Sequence, residues 1–257
     1  MLSDFTLNAY RKLLGYLQER YKIVRFKDLK KTDSQNVLIL RHDIDWSLDA
    51  SLTMAKIEAK MGIGATYFVL LSHKLYNVFD SGQFQKLKSI LSLGHEIGLH
   101  YDPSVCESYG RPLEETVRFE AKQLRYLMGT EIASIASHNP ALGGKALGDL
   151  DGYLNVYDPV YSEGFLYISD SCRTWDAERT ASLFSNDHPP KVQLLIHPAL
   201  WQPDMCTREQ VLQRAFASTR KELRRYLAEW LILWRKNPRV KKYDELYHSG
   251  HFPEFLK

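Results

Sequence analysis

The 257-residue sequence lacks a cysteine framework, because Cys106, Cys172 and Cys206 are widely spaced and form no CxxC pair. Isolated thiols in odd number are typical of a reduced protein and exclude a small fold held together by disulfides. No apolar run approaches the roughly 20 residues that cross a bilayer. The N-terminus has no basic segment followed by an apolar stretch, as a secretory signal requires. We therefore expect a cytoplasmic protein without a membrane span.

The sequence also lacks a strong excess of one charge, a phosphate-binding glycine loop and internal repeats. Its 34 Lys and Arg nearly balance 31 Asp and Glu, which argues against nucleic acid as a partner. The segment GGK at 143–145 has neither the upstream glycine nor the following Ser or Thr of a P-loop. Since no Pro/Gly-rich linker divides the chain, we expect a single domain over residues 1–257.

Short apolar runs alternate with helical patterns along most of the chain. Strands are predicted at 37–45, 65–71, 96–102, 132–138, 165–171 and 192–198, while the stretch 139–164 gives no clear pattern. Helices are predicted between the first four strands, before the first strand and from Thr207 onwards. Such alternation is typical of parallel strands joined by right-handed crossovers. Polar residues recur at the predicted strand ends, which favours a (β/α) barrel over an open doubly wound sheet.

The first of these strand ends, LRHDID at residues 40–45, concentrates charged groups. Side chains alternate between the two faces of a strand, so Arg41, Asp43 and Asp45 share one face. Two neighbouring carboxylates in a partly buried site need a compensating cation, which could be Arg41 or a divalent metal. Taken alone, the stretch fits a structural Asp–Arg pair as well as it fits an active site.

Histidines at further strand ends favour the active site. His100 and His138 each end a predicted strand, and His197 ends the strand LLIHP. A histidine in that last position is a candidate general acid, and Asp170 could orient its ring through a hydrogen bond. His95 lies five residues before His100 in a strand pattern, so the HExxH arrangement of helical zinc proteases is excluded.

Four segments, LRHDID, GATYFVLL, GHEIGLHYD and LLIHP, resemble in this order the motifs of the polysaccharide deacetylases, carbohydrate esterase family four. YISDSCRTW resembles the fourth motif of that family. The resemblance covers residues 37–201, and GHEIGLH is its most specific piece. It implies a distorted, incomplete (β/α) barrel, here with extra N- and C-terminal helices. It also implies hydrolysis of N-acetyl or O-acetyl groups on sugars with a divalent metal, usually zinc.

The resemblance also implies roles for single residues. Asp43 matches the base that deprotonates the attacking water, and Asp45 and His100 match metal ligands. His197 matches the general acid that protonates the departing amine, and Asp170 would tune it.

The sequence departs from the family pattern in two ways. The second metal histidine, expected four residues after the first, is Ser104 here. His138 or Asp102 could supply the missing ligand, and we rank His138 first because its strand would neighbour that of His100. The third motif lacks the arginine that braces the base, a role that Arg41 could take.

Five residues next to these motifs are predicted to bind substrate: Arg41, Tyr101, Arg173, Trp175 and Trp201. The aromatic side chains could stack on a sugar face, and Arg173 could meet a phosphate or carboxylate.

The predicted function is metal-dependent removal of an acetyl or formyl group from a small aminosugar or from a nucleotide-linked or lipid-linked sugar. One alternative is a metal-independent hydrolase of a small linear or cyclic amide, which Ser104 would favour. Another alternative is a carbohydrate-binding barrel without catalysis. The sequence gives no indication of the oligomeric state.

Overall fold

The computed structural model describes residues 4–138 and 147–236. It consists of two compact units, Met1–Cys206 and Thr207–Lys257. The described strands of the first unit are β1 (Lys22–Val24), β2 (Val37–Ile44), β3 (Thr66–Leu70), β4 (Glu96–Tyr101), β5 (Ser134–Ser137), β6 (Leu154–Asn155), β7 (Leu166–Ser169) and β8 (Lys191–Ile196). Its helices are α1 (Leu7–Gln18), α2 (Leu48–Lys60), α3 (Ser81–Ser92), α4 (Pro103–Ser108), α5 (Leu113–Met128), α6 (Pro159–Ser162) and α7 (Ala177–Ser182).

All strands of the sheet run parallel, in the order β6-β5-β4-β3-β2-β8-β7. Two strands pair with the same edge of β2: β1 pairs with Val37–Ile39, and β3 pairs with Arg41–Ile44. The other edge of β2 pairs with β8. Within the described residues, β6 and β7 form no ladder with each other, so the sheet stays open at this point.

The sheet curls, so that its inner face surrounds one hydrophobic cluster. Val24, Ile39, Phe68, Ala136 and Val156 belong to one buried hydrophobic cluster. These residues come from β1, β2, β3, β5 and the end of β6, so side chains from widely separated strands pack together. A flat sheet cannot bring them into one cluster, whereas a curled sheet does. This geometry confirms the predicted distorted and incomplete (β/α) barrel.

The helices that follow the strands fix which rim of the barrel carries the polar residues. Ser47 caps the start of α2, because its side chain accepts a hydrogen bond of 3.2 Å from the Ala50 N–H. Gly62 lies just after the end of α2 and has a φ of 71°, a left-handed value that favours glycine. Each helical crossover returns the chain to the amino-terminal rim, so the carboxyl ends of all strands meet at the opposite rim.

One glycine of the GHEIGLH segment is required by packing. A Cβ atom on Gly98 of β4 would lie 2.5 Å from the ring of Phe68 and 2.8 Å from Oγ of Ser134. Both neighbours come from the adjacent strands, so any larger residue would force the strands apart around the site.

A fully buried carboxylate ties α2 to the outer face of the sheet. Glu58 accepts hydrogen bonds from the hydroxyls of Tyr10 (2.6 Å) and Tyr67 (2.8 Å), and Nε2 of His42 lies 2.8 Å away. His42 points away from the barrel interior, as the alternation of strand residues predicts. His95, which the sequence places just before β4, is buried against the same carboxylate at 3.5 Å. We call these residues the Glu58 cluster.

The second unit contains α8 (Arg208–Lys236), the predicted C-terminal helix. It begins with a capping box, in which Oε1 of Gln210 accepts from the Thr207 N–H at 2.8 Å and Oγ1 of Thr207 accepts from the Gln210 N–H at 3.3 Å. None of the described helices combines the length and apolar character needed to cross a membrane.

Candidate active site

The strand ends at which the sequence predicted catalytic and metal-binding residues meet at the carboxyl-terminal rim of the barrel. A cavity of about 580 Å³ at this rim is lined by Asp43, Asp45, His100, His138 and His197. Asp43 lies near the end of β2 and His100 near the end of β4, whereas Asp45, His138 and His197 directly follow the ends of β2, β5 and β8. Five residues spread over 155 positions of sequence are therefore brought together by the parallel topology.

A buried arginine braces Asp43. Nε of Arg41 donates to Oδ1 of Asp43 at 2.8 Å, and a terminal nitrogen donates to Oδ2 at 2.7 Å. The two side chains are 0% and 5% exposed. Burial alone would raise the pKa of Asp43, but the adjacent guanidinium holds it below its usual range. Asp43 therefore stays ionised at neutral pH, and the predicted bracing role of Arg41 matches this geometry.

Arg41, predicted also to bind substrate, is fully buried. Its remaining contacts are with protein groups, namely Oε1 of Gln193 at 3.4 Å and the hydroxyl of Tyr157 at 3.3 Å. The guanidinium lies behind Asp43 and does not line the cavity, so it acts on a bound molecule only through that carboxylate.

Three candidate metal ligands converge beside Asp43. Oδ1 of Asp45 lies 3.6 Å from Nε2 of His100 and 3.4 Å from Nδ1 of His138, and the two ring nitrogens are 3.2 Å apart. Tetrahedral zinc, with bonds of 2.0–2.2 Å to nitrogen and oxygen, places its ligand atoms ~3.3–3.6 Å from one another. The three atoms, which we call the ligand triangle, thus have the spacing of ligands around one cation.

The hydrogen bonds around the ligand triangle also fit a cation. Nδ1 of His100 lies 2.9 Å from the carbonyl oxygen of Ala136, which can only accept, so Nδ1 donates and Nε2 is the nitrogen that a neutral ring would offer to a cation. Oδ1 of Asp45 is buried and makes no hydrogen bond of ordinary geometry among the described residues; its polar neighbours are the two ring nitrogens of the triangle. A proton shared by the two histidines would leave this oxygen unsatisfied, whereas a cation satisfies all three atoms.

The structure favours His138 over Asp102 as the third ligand. Asp102 caps α4, because its Oδ1 accepts from the backbone N–H of Ser104 at 2.9 Å and from its hydroxyl at 2.6 Å. Its carboxylate is thereby directed to the helix, and it is not part of the ligand triangle. The residue that replaces the expected histidine, Ser104, serves the same cap.

A second carboxylate fixes His197. Nδ1 of His197 donates to Oδ1 of Asp170 at 2.6 Å, and its backbone N–H also points at this carboxylate. The indole N–H of Trp201 donates to Oδ2 at 2.7 Å. Burial alone would lower the pKa of His197, but Asp170 raises it to about 9. The ring is therefore protonated at neutral pH, with Nε2 lying 3.7 Å from Oδ2 of Asp45.

The other four predicted substrate-binding residues do not line this cavity. Tyr101 is buried, and its hydroxyl accepts from the Leu147 N–H at 2.9 Å. Trp201 is buried under Asp170 as a positioning residue. Arg173 and Trp175 line a separate cavity of about 490 Å³. Proximity to motif residues in sequence therefore did not place these side chains in the cavity, because it does not determine the direction of a side chain.

The direction of Arg173 and Trp175 has a local cause. Cys172 and Arg173 both have left-handed backbone conformations, with φ of 58° and 56°. The chain therefore turns sharply after β7, and the side chains beyond Asp170 do not continue the alternation of the strand.

Three residues that sequence reasoning missed line the cavity instead: Tyr157, Tyr167 and Arg179. Tyr167 lies within the predicted strand 165–171, where alternation of faces could have indicated it. Tyr157 falls in the stretch that gave no pattern, and Arg179 lies on the short helix α7, so neither had a signal in the sequence.

Comparisons with known proteins give a structural likeness only. No protein-family model and no curated protein matches the chain. The chitin deacetylase of the fungal pathogen Colletotrichum lindemuthianum is 16% identical, with a TM-score of 0.41 over 71% of this chain and 81% of that one. A family 4 carbohydrate esterase from Bacillus anthracis is 13% identical, with a TM-score of 0.37 over 82% and 86%.

Other similar structures are matched over less of their length. Streptococcus pyogenes deacetylase PplD in complex with acetate is 15% identical, with a TM-score of 0.37, and the match covers 49% of this chain and 59% of that one. BA3943, a CE4 family pseudoenzyme from Bacillus anthracis, is 11% identical, with a TM-score of 0.38 over 74% and 62%. This chain thus spans less than two thirds of these two structures.

Proposed function

We propose that the protein is a metal-dependent hydrolase that removes an acyl group, acetyl or formyl, from the nitrogen of an aminosugar or sugar conjugate. The observation that carries the proposal is the ligand triangle, formed by Asp45, His100 and His138, with an ionised Asp43 and a protonated His197 beside it. The choice of a sugar follows the motif resemblance over residues 37–201.

A divalent cation in the ligand triangle, which we expect to be zinc, would lower the pKa of the attacking water to about 7 and polarise the acyl carbonyl. Asp43 accepts the proton of that water, because its Oδ2 lies 3.6 Å from Nε2 of His100 and thus borders the triangle. Oxygen adds to the acyl carbon and the C–N bond breaks. His197 delivers a proton from Nε2 to the departing nitrogen, which leaves as the free amine.

The protonation states of the two groups suit these opposite roles. Arg41 lowers the pKa of Asp43 despite its burial, and Asp170 raises that of His197 to about 9. At neutral pH the base is therefore ionised and the acid is protonated before the substrate arrives. Two titratable groups with pKa values pushed apart in this way are typical of an acid–base pair.

The cavity indicates the size and charge of the substrate. Its volume of about 580 Å³ is that of a small-molecule site. Tyr157 and Tyr167 line the cavity with aromatic rings on which a sugar face could stack. Apart from histidines, Arg179 is the cationic side chain that lines the described part of this cavity, and it is 54% exposed. We therefore expect a substrate with a phosphate or carboxylate, as in a nucleotide-linked or lipid-linked sugar.

Release of acetate or formate tests this function. Protein stripped with a chelator is compared with protein reloaded with zinc, on N-acetyl and N-formyl aminosugars, their phosphate-bearing conjugates and small cyclic amides. We expect hydrolysis of sugar amides only after reloading. Hydrolysis of a cyclic amide without metal would instead support the metal-independent alternative, and sugar binding without hydrolysis would support a binding protein.

Asp170→Asn is expected to move the alkaline limb of the kcat/KM profile to lower pH by roughly 1–3 units. The general acid must be protonated, so activity falls as pH rises through the pKa of His197, which Asp170 raises to about 9. Asparagine keeps a hydrogen bond to the ring but removes the charge. Trp201→Phe, which removes a neutral donor to the same carboxylate, is the control and should barely move the limb. An unmoved limb in Asp170→Asn would contradict the role of His197.

A further inference from the structure

All but one of the large apolar side chains exposed on α8 lie along one side of the helix, Ile232 being the exception. They form what we call the apolar stripe, whose members are 42–68% exposed: Leu212, Phe216, Leu223, Tyr226, Leu227, Trp230, Leu233 and Trp234. With 3.6 residues per turn, they fall within a sector roughly 120° wide. Isolated exposed apolar residues are common on proteins, but a stripe over six helical turns, interrupted only at Thr219, indicates an interaction surface.

The helix α8 also carries an excess of positive charge. The helix contains eight Lys and Arg but only three Asp and Glu. The whole chain has 34 and 31, so the rest of it keeps 26 basic and 28 acidic residues and has a negative balance. Arg214, Lys221 and Arg225 project opposite the middle of the apolar stripe. A partner of α8 should therefore offer an apolar layer and negative charge together.

We propose that α8 binds to the surface of an anionic lipid bilayer and lies in the plane of the interface. The apolar stripe enters the boundary between head groups and acyl chains, and the basic face stays among the anionic head groups. Tyr226, Trp230 and Trp234 lie in the C-terminal half of the stripe. Such amphipathic aromatic rings prefer the level of the head groups, which gives this half the stronger contact.

A second copy of the chain is the other occupant that the spacing suggests. Leu212, Phe216, Leu223, Tyr226, Trp230 and Leu233 are compatible with the alternating steps of three and four residues of a coiled coil. In a parallel pair, however, Glu222 would face Leu227 of the other helix, and Glu229 would face Trp234. Neither pairing is ionic, and the apolar flanking residues widen the stripe beyond a coiled-coil seam. The bilayer therefore fits better.

Vesicle co-sedimentation of the full-length protein tests the proposal. We expect the protein to sediment with vesicles containing phosphatidylglycerol, and at least tenfold less with vesicles of phosphatidylcholine alone. Added salt should weaken binding because it screens the basic face. Leu223→Glu and Trp230→Glu should each reduce binding at least tenfold. The matched control is Tyr126→Glu on α5, which also adds a charge at an exposed aromatic residue and should leave binding unchanged.

Circular dichroism and the mass in solution separate the outcomes. The stripe variants must keep the helical signal of the wild type, so that lost binding reports the surface and not unfolding. Failure of the wild type to sediment with anionic vesicles would overturn the proposal. So would a wild-type dimer that the stripe variants convert to a monomer without any vesicle binding. Because sedimentation requires no turnover, this result is independent of the proposed hydrolase activity.

Discussion

Asp43→Asn is expected to lower kcat/KM by roughly 10²–10⁴-fold, the usual contribution of a positioned general base. Asparagine cannot accept a proton, yet it has nearly the same shape and keeps one oxygen for the guanidinium of Arg41. The loss follows from geometry, since Oδ2 of Asp43 lies 3.6 Å from Nε2 of His100 and thus borders the ligand triangle. Steady-state hydrolysis by metal-loaded protein provides the measurement.

Stability must be measured beside activity in this variant. Arg41 is fully buried, and removing the charge of its partner leaves an uncompensated cation in the interior, which destabilises proteins by about 3–5 kcal/mol. Urea unfolding gives the folded fraction by which kcat/KM is corrected. Asp49→Asn is the matched control, because Asp49 is exposed and pairs with Lys86 on the surface. If corrected activity in Asp43→Asn stayed within tenfold of the wild type, Asp43 would not be the base.

Glu58→Ala is expected to lower the free energy of unfolding by about 3–5 kcal/mol, with the proposed catalytic groups untouched. The carboxylate is fully buried and receives hydrogen bonds from Tyr10 (2.6 Å) and Tyr67 (2.8 Å). Alanine leaves these hydroxyls and His42 unsatisfied and opens a cavity between α2 and the sheet. Urea unfolding at neutral pH gives the value. Glu115→Ala, at an exposed position of α5, is the control and should change it by less than about 0.5 kcal/mol.

The contribution of Glu58 should depend on pH with a definite sign. Burial alone would raise its pKa, but His42 and His95 together with the Tyr10 hydroxyl hold it below the ordinary value. A carboxyl group with a lowered pKa in the folded protein stabilises it above the unfolded pKa, about 4.3, and loses this contribution as pH falls through the lower folded value. The stability difference between wild type and Glu58→Ala should therefore shrink in acid. A difference that grew in acid would contradict an ionised Glu58.

Much of the candidate site could be predicted from the sequence because strand geometry is regular. Alternation along β2 placed Arg41, Asp43 and Asp45 on one face, and the salt bridge confirms that Arg41 and Asp43 share it. The pairing of His100 with Ala136 places His138 just past the end of β5, next to β4. Parallel strand order and a period of two are backbone properties, so a single sequence reveals them.

Other features could not be predicted because they depend on irregular backbone or on distant partners. β1 and β6 are three and two residues long, too short for any periodicity. The left-handed turn at Cys172 and Arg173 decides which side chains leave the cavity, and the sequence shows no glycine there. Glu58 did have a signal, an acid on the apolar face of α2, but its partners come from α1, β2 and β3.

The metal content of purified protein, measured by elemental analysis after zinc loading and removal of free ion, tests the central claim most directly. We predict about one ion per chain in the wild type and its loss in both Asp45→Ala and His138→Ala. Ser104→Ala and Asp102→Asn, which alter only the cap of α4, should keep the ion. A wild type that binds no zinc, or a His138→Ala variant that binds it as fully as the wild type, would contradict the ligand triangle.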